Sequence, residues 1–268
     1  MADTHRARKR FGQNFLSDPG IIHRIARSIH ASENDHLVEI GPGKGALTNQ
    51  IIDSGCRLDT IELDRDLIPV LLAQFVDKPG FKLHQGDALA FDFSSLKDDN
   101  KLLRIVGNLP YNISTPLIFH LLSHQQLIQD MHFMLQLEVV LRLAAEPRHK
   151  NYGRLSVMTQ YYCQVEHLFD VPPEAFSPRP KVQSAIVRLT PHQQLPYPAK
   201  NIKTLEVTLR ESFNQRRKTL RNSLKRLIGP EQLEAIGINP TARPETLTLE
   251  EFVRISDTIE GTKEEAKP

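Results

Sequence analysis

In the first half of the chain, short apolar runs alternate with segments in which apolar residues recur every three or four positions. The runs have the length of β-strands, and the periodic segments have the pattern of helices that pack one face against a core. The predicted strands are residues 36–40, 58–63, 81–85, 102–107 and 131–137, and the predicted helices are residues 46–53, 66–75 and 115–123. This alternation predicts an α/β fold, with a mainly parallel sheet covered by helices on both faces.

The pattern changes after residue 152. Two β-like runs, residues 155–165 and 182–189, flank a proline-rich loop, which predicts an antiparallel addition at one edge of the sheet. Three prolines then fall within residues 191–199, and because proline disfavours both helix and central strand we predict a linker at residues 191–200.

The remaining periodic segments are all helical: residues 203–213, 218–228, 231–236 and 249–259. We therefore predict a sheet domain over residues 1–190 and a small all-helical carboxy-terminal domain over residues 201–268.

The composition limits the class of protein. The chain has 268 residues, of which 40% are hydrophobic and 25% charged, and this balance is typical of folded globular domains. Cys56 and Cys163 are too few for a disulfide framework and lack the spacing of a zinc site, so we expect a cytoplasmic, reducing environment. The apolar runs are much shorter than the roughly 20 residues that cross a bilayer, so no membrane contact is expected.

Charge is unevenly distributed, although the formal net charge is only +2. Basic residues concentrate in an amino-terminal arm and at the start of a predicted helix of the carboxy-terminal domain, and no acidic residue lies between Ser212 and Ile228. The two clusters are Arg6, Arg8, Lys9 and Arg10, and Arg216, Arg217, Lys218 and Arg221. Such clusters bind phosphates through electrostatic attraction and counterion release, so both are candidate nucleic-acid contacts.

The densest chemical signal is the glycine-rich segment at residues 41–45, between a predicted strand and a predicted helix. Glycines allow left-handed backbone angles and close approach of a ligand, and the helix that follows offers free N–H groups. About 20 residues further on, Glu62 closes the next predicted strand, where an acid can bind the hydroxyls of a ribose. The segment therefore predicts a nucleotide-containing ligand.

Two ligand classes compete for this turn, because Gly41, Gly43 and Ala46 also satisfy the relaxed dinucleotide pattern. Glu39 favours S-adenosylmethionine, since its carboxylate would repel a pyrophosphate but attract an ammonium. Asp87, after the third predicted strand, is placed where its carboxylate can accept a hydrogen bond from an adenine amino group.

A second motif, residues 108–111, follows the fourth predicted strand, at the sheet edge where ligands of parallel sheets bind. The exocyclic amino group of adenine is a poor nucleophile, and acceptors for its two hydrogens direct its lone pair. The Asn108 side-chain oxygen and the Leu109 carbonyl are suited to this role, Pro110 stiffens the turn, and Tyr111 is suited to stack on the base.

These motifs resemble the ribosomal RNA adenine dimethyltransferase family over nearly the whole chain. The matching segments are residues 12–16, 39–45, 108–112, 176–182 and 213–218. The resemblance implies a class I S-adenosylmethionine-dependent methyltransferase fold, which is Rossmann-like, with a helical carboxy-terminal domain. It implies that the cofactor is bound by Asn14, Leu16, Gly41, Glu62, Asp87 and Asn108, and that Tyr111 and Phe176 enclose the target adenine.

The bacterial members of this family dimethylate N6 of two adjacent adenines near the 3′ end of small-subunit (16S) rRNA. The resemblance therefore implies this activity on the small ribosomal subunit or its precursor, a role in ribosome biogenesis, and RNA docking by the basic clusters. We expect a monomer. Gln183 stands where many relatives have an acid and Arg179 where proline is frequent, but neither touches the inferred chemistry.

Three alternatives remain open. A large-subunit rRNA adenine methyltransferase of the erythromycin-resistance kind shares the cofactor and target-base motifs, and a ribosome-assembly factor would act through binding rather than catalysis. A dinucleotide-dependent dehydrogenase is disfavoured by Glu39 and by the motif at residues 108–111.

His120 and His124 have the spacing of a metal pair but no evident third ligand, so we predict no metal site.

Overall fold

The computed structural model describes residues 14–98, 100–110, 112–215 and 217–265. The strands are β1 Phe15–Leu16, β2 His36–Ile40, β3 Arg57–Glu62, β4 Phe81–Gln85, β5 Leu103–Asn108, β6 Ile128–Gln136, β7 Cys163–Val171, β8 Phe176–Ser177 and β9 Ser184–Pro191. The helices are α1 Pro19–Ile29, α2 Ala46–Ile52, α3 Ile68–Phe75, α4 Ser114–Leu122, α5 Leu137–Leu143, α6 Arg154–Tyr162, α7 Ile202–Phe213, α8 Leu220–Ser223, α9 Pro230–Ala235 and α10 Leu249–Glu265. None of these helices is long and apolar enough to cross a membrane.

A seven-stranded sheet has the order β4-β3-β2-β5-β6-β9-β7. The pairs β2–β3, β2–β5, β3–β4 and β5–β6 are parallel, and β9 pairs with β6 in the antiparallel direction. The five predicted strands are therefore confirmed, as is the antiparallel pairing of the second β-like run, residues 182–189. The strand order reverses between β2 and β5, and the carboxyl ends of strands at such a switch point are the usual ligand site.

Helix α1 covers one face of this sheet, and its start has a local explanation. The Asp18 side chain accepts a hydrogen bond from the Ile21 amide at 2.9 Å, and Pro19 occupies the first turn, where its missing N–H is no loss. Ile25 and Ile29 point into a hydrophobic cluster that also includes Leu37 and Val106 of the sheet. This packing leaves the carboxyl ends of β2 and β5 next to the helix.

The predicted strand at residues 155–165 is wrong. Residues 154–162 form α6, and only from Cys163 does the chain continue as β7. Leu155 to Thr159 are all buried, so this helix has no polar face in its first half and its sequence lacks the period of 3.6 residues that reveals an amphipathic helix. The predicted helix at residues 218–228 is also too long, because only Leu220–Ser223 is α-helical.

The chain divides into two compact units. The first contains the chain up to Val140 together with Val165–Pro191, and the second contains Leu141–Gln164 and the chain from His192 onward. This division differs from the predicted boundary at residue 190, because residues 141–164 belong to the helical unit. Within that unit the Tyr152 hydroxyl donates to the Leu247 carbonyl at 2.9 Å, and the rings of Phe213 and Phe252 lie 5.5 Å apart.

Candidate active site

The glycine-rich turn between β2 and α2 has a left-handed backbone at Gly41, Gly43 and Gly45, with φ of 67°, 61° and 82°. Gly45 also has no room for a side chain, because a Cβ there would lie 2.5 Å from a ring carbon of Phe75. Non-glycine residues rarely adopt these angles. The turn therefore needs its glycines for conformation and for packing.

The acid predicted to bind a ribose is held in place by the main chain. Glu62 ends β3, is 6% exposed, and accepts hydrogen bonds from the Asp64 amide at 2.8 Å and the Gly43 amide at 3.2 Å. Burial raises the pKa of Glu62, and these two amides oppose the rise. The Gly43 contact ties the carboxylate to the glycine-rich turn, so both line one surface.

Glu39 lies deeper in the same wall. It is 2% exposed, and its carboxylate accepts a hydrogen bond from the Thr48 hydroxyl at 2.6 Å. Burial raises the pKa of Glu39 to about 7, opposed by the Thr48 hydrogen bond and aided by the charge of Glu62. A cation beside Glu39 would stabilise its ionised form, whereas a diphosphate would meet two buried acids.

The motif after β5 is oriented by the amino-terminal arm. The Asn108 side-chain amide donates to the Asn14 carbonyl at 3.1 Å, which commits its Nδ2 end and directs Oδ1 elsewhere. The Leu109 amide donates to the Met134 carbonyl at 3.2 Å. A Cβ on Gly107 would lie 2.6 Å from the Ile40 carbonyl oxygen, so the two central strands need a glycine there.

The arm itself is anchored by the short antiparallel ladder of β1 and β8. Phe15 pairs with Ser177 and Leu16 with Phe176. The Phe15 ring lies against Gly43, 3.2 Å from the position of a Cβ, and the Lys44 ammonium lies 4.9 Å from the ring centroid. Phe15 of β1 therefore lies over the glycine-rich turn.

A cavity of about 440 Å³ opens at the switch point of the sheet. The predicted residues that line it are Asn14, Leu16, Gly41, Glu62, Asp87, Asn108, Leu109 and Pro110. Asp87 follows β4, is exposed, and accepts a hydrogen bond from the Leu89 amide at 2.9 Å. The structure thus brings the two predicted motifs and the predicted acids to one cavity.

The other predicted site roles are not tested by this cavity. Phe176 is 5% exposed and belongs to the hydrophobic cluster beneath α1, while its neighbour Ser177 lines the cavity. Tyr111, Arg216 and the arm residues Arg6, Arg8, Lys9 and Arg10 lie outside the described residues. Arg217, Lys218 and Arg221 are exposed in the helical unit. These roles remain predictions.

The cavity also contains residues that the sequence analysis did not select. They include Ile25, His132, Met134 and Ile186, all of which are buried. His132 and Met134 alternate with buried apolar residues along β6, and a strand buried on both faces gives no sequence signal for which face meets a ligand. His120 and His124, in contrast, hydrogen-bond to the main-chain carbonyls of Phe91 and of His120 at 2.9 and 3.1 Å.

The residues of the cavity fit S-adenosylmethionine. The glycine-rich turn permits close approach, Glu62 and Asp87 offer acceptors for hydroxyl and amino groups, and Glu39 complements a positive charge. The buried imidazole of His132 adds a polar group without a hydrogen-bond partner in the described chain. The donor set therefore suits a cationic adenosine derivative better than a dinucleotide.

Comparison with known proteins identifies the family. The sequence model described as "Ribosomal RNA adenine dimethylase" matches residues 4–261. Ribosomal RNA small subunit methyltransferase A of Pseudomonas syringae pv. syringae (strain B728a) is 62% identical over 255 residues, which is 95% of both chains. The protein of the same name from Pseudomonas aeruginosa is 63% identical, again over 95% of each chain.

Solved structures confirm the predicted methyltransferase fold. A dimethyladenosine transferase from Plasmodium falciparum is 25% identical with a TM-score of 0.78, covering 90% of this chain and 95% of that one. The 23S rRNA methyltransferase ErmE is 25% identical with a TM-score of 0.72, covering 92% and 100%. The chain belongs to the ribosomal RNA adenine dimethylase family.

Proposed function

We propose that the protein uses S-adenosylmethionine to dimethylate N6 of two adjacent adenines near the 3′ end of small-subunit (16S) rRNA. The observation that carries the proposal is the orientation of Asn108 at the cavity wall, where the Asn14 carbonyl commits its amide nitrogen. The small-subunit substrate is supported by the names of relatives that are more than 60% identical over 95% of the chain.

The residues of the motif after β5 position the target nitrogen. The Asn108 Oδ1 and the Leu109 carbonyl accept the two N6 hydrogens, and this aims the nitrogen lone pair toward the cofactor site. Pro110 and the Leu109–Met134 hydrogen bond keep the turn rigid. Tyr111 and Phe176 enclose the base, which requires the Phe176 ring to turn out of the hydrophobic cluster or to present one edge.

The residues of the glycine-rich wall position the cofactor. When bound, S-adenosylmethionine supplies an electrophilic methyl group on a sulfonium. Glu62 binds the ribose hydroxyls, Asp87 accepts from the adenine amino group, and Gly41 permits close approach. Asn14 and Leu16 close the arm over the site, and the proton of the alkylated N6 leaves to water, so no strong base is required.

The exposed basic residues Arg217, Lys218 and Arg221 of the helical unit bind RNA phosphates, together with Arg216 and the amino-terminal Arg6, Arg8, Lys9 and Arg10. The substrate is the small ribosomal subunit or its precursor. The enzyme works as a monomer in the cytoplasm, where ribosomes assemble.

The proposal is tested by transfer of labelled methyl from S-adenosylmethionine to small and, separately, large ribosomal subunits, followed by digestion to nucleosides. We expect N6,N6-dimethyladenosine from the small subunit alone. Asn108→Ala should reduce the rate about 10²–10³-fold, as expected for loss of one hydrogen bond that strengthens in the transition state.

Asn49→Ala is the matched control, because Asn49 is an exposed asparagine on α2. It should leave the rate within about twofold, and the melting temperatures of both variants should match the wild type. Label in the large subunit would instead assign the chain to the branch that ErmE represents. No label in either subunit would contradict catalysis and favour an assembly factor that only binds.

A further inference from the structure

The polar groups of the cavity follow the order of the strands. Asp87 lies after β4, Glu62 at the end of β3, Gly41 after β2 and Asn108 at the end of β5. The inference rests on the proposed cofactor, whose adenine and ribose meet Asp87 and Glu62. Its amino-acid end then extends toward β5 and β6.

The wall at β6 contains a polar side chain with an unused hydrogen-bonding capacity. His132 lines the cavity and is 3% exposed, and in the described part of the chain neither of its ring nitrogens has a hydrogen-bond partner. Its Nδ1 lies 3.8 Å from Asp130 Oδ1, which is beyond hydrogen-bond distance. Buried polar groups are nearly always paired, so this unpaired imidazole on the cavity wall, whose buried ring nitrogens reach the cavity when the ring turns, is a candidate for pairing with a ligand.

The register of the sheet places His132 on the same face as Glu39. Glu39 pairs with Val106, and Val106 pairs with His132, so all three side chains point to the same face of the sheet. Adjacent strands are about 4.8 Å apart, which separates the backbones of Glu39 and His132 by roughly 10 Å. Glu39 and His132 both line the cavity, on either side of the buried Val106, so each can offer an acceptor to a small polar group there.

The charges around His132 favour a cation at this position. Burial lowers the pKa of His132 to about 4, so its ring is neutral and one nitrogen is an acceptor. Arg188, on the neighbouring strand, is bound to Glu166 at 2.7 Å, and Arg104, which lies toward the amino end of β5, is bound to Asp130 at 2.9 Å. The positive charges of both arginines are therefore balanced by neighbouring carboxylates. Glu39 remains as the negative charge that a ligand cation can neutralise.

We propose that His132 anchors the amino-acid end of S-adenosylmethionine, with a ring nitrogen accepting a hydrogen bond from the α-ammonium and Glu39 facing the same ammonium from β2. His132 is thus a positioning residue for methyl transfer. Its contact holds the end of the cofactor that lies beyond the sulfonium.

Calorimetric titration of the full chain tests this contact. Wild type and His132→Leu are titrated with S-adenosylhomocysteine and with its deaminated analogue, which keeps the carboxylate but lacks the ammonium. We expect His132→Leu to weaken the binding of S-adenosylhomocysteine about tenfold or more, as for loss of a hydrogen bond to a charged group. The binding of the analogue should weaken by less than about twofold. His132→Gln, which keeps a polar amide, should recover part of the loss.

Met134→Leu is the matched control, because Met134 lines the same cavity with an apolar side chain. It should change both affinities by the same small factor. If His132→Leu weakens both ligands equally, or neither, the anchoring role is wrong. If the wild type binds neither ligand, the proposed cofactor itself is wrong, which is a different result.

A measurement on the wild type tests the same contact without requiring that a variant folds. The ¹⁵N chemical shifts of the His132 ring should change on addition of S-adenosylhomocysteine. On addition of the deaminated analogue they should change by only a fraction of that amount. Equal shifts with both ligands would overturn the ammonium contact.

Discussion

Two neighbouring rows of paired residues, here called rungs, run across β2, β5 and β6 on one face of the sheet. They bury polar side chains in opposite ways. On the first, Arg104 donates to Asp130 at 2.9 and 3.0 Å and to Asp35 at 3.1 Å. On the next, two residues further along each strand, Glu39 and His132 flank Val106 and face the cavity. Burial raises the pKa of Glu39 to about 7 and lowers that of His132 to about 4, so burial opposes the charged form of both.

On the opposite face of the sheet a second buried carboxylate, Asp59, is paired with protein groups. Asp59 lies 2.7 Å from His36 and 2.5 Å from His84, and although burial alone would raise its pKa, these contacts lower it to about 2. Asp59 and Arg104 therefore have protein partners, and we assign them to stability. His132 keeps two unpaired ring nitrogens, and Glu39 lines the same cavity, so we assign both to ligand binding.

The largest effect that separates the two rungs is expected from Arg104→Met. This change leaves Asp130 and the Ile29 carbonyl, which Arg104 contacts at 2.6 Å, without their buried partner. Breaking a buried ion pair by removing one partner destabilises a protein by about 3–5 kcal/mol. Urea unfolding should show this loss, while the folded variant should bind S-adenosylhomocysteine with the wild-type affinity.

Lys78→Met is the control for loss of a cation, because Lys78 pairs with Asp53 at 3.4 Å on the surface. Exposed pairs contribute about 0–1 kcal/mol. If Arg104→Met is no more destabilising than Lys78→Met, or if it weakens the ligand as strongly as changes in the cavity do, the division between the rungs fails.

The second effect is a pH dependence at Glu39. Its pKa is raised from 4.5 to about 7 in the folded chain, so between these values the folded state binds more protons than the unfolded state. Stability is therefore greatest below pH 4.5 for this group and falls as the pH rises to about 7. A shift of about 2.5 units corresponds to roughly 3 kcal/mol.

Glu39→Gln removes this dependence while keeping the size of the side chain. The free energies of unfolding of wild type and variant are measured without ligand from pH 4.5 to 8. The difference between them should change by up to roughly 3 kcal/mol across this pH range. Above pH 7, S-adenosylhomocysteine should restore part of the stability that the wild type loses, because its ammonium stabilises the Glu39 carboxylate. A difference that stays constant with pH would show that Glu39 is not the titrating group.

The sequence could predict the parts of the site that are local. The glycine-rich turn, Glu62 and the motif from Asn108 each follow a strand directly, and their chemistry is legible in a few consecutive residues. His132 could not be found this way, because its role depends on pairing with Val106 in a register that shifts between Leu103 and Arg104.

The same reason explains the error in the fold. Strands buried on both faces and helices buried all round are both continuous apolar runs, so residues 155–165 favoured a strand although α6 occupies most of them. Predicted strands such as residues 36–40 and 81–85 were placed correctly because helical segments with clear periodicity separate them. Local pattern therefore predicts elements best where neighbouring elements differ in period.

The smallest effect compares two glycines at opposite ends of the sheet. Gly43 and Gly80 have φ of 61° and 82°, so alanine at either position should destabilise the chain by about 1–2 kcal/mol. At Gly43 a Cβ would also press on Phe15 at 3.2 Å and disturb the arm over the cavity, whereas at Gly80 it would meet the Cys56 carbonyl at 2.8 Å, at the amino end of β4. We expect Gly43→Ala to weaken S-adenosylhomocysteine about fivefold to tenfold, and Gly80→Ala to leave the affinity unchanged while lowering the melting temperature at least as much. Equal loss of affinity in both variants would mean that the two ends of the sheet are coupled, and that stability and ligand binding cannot be assigned to separate rungs.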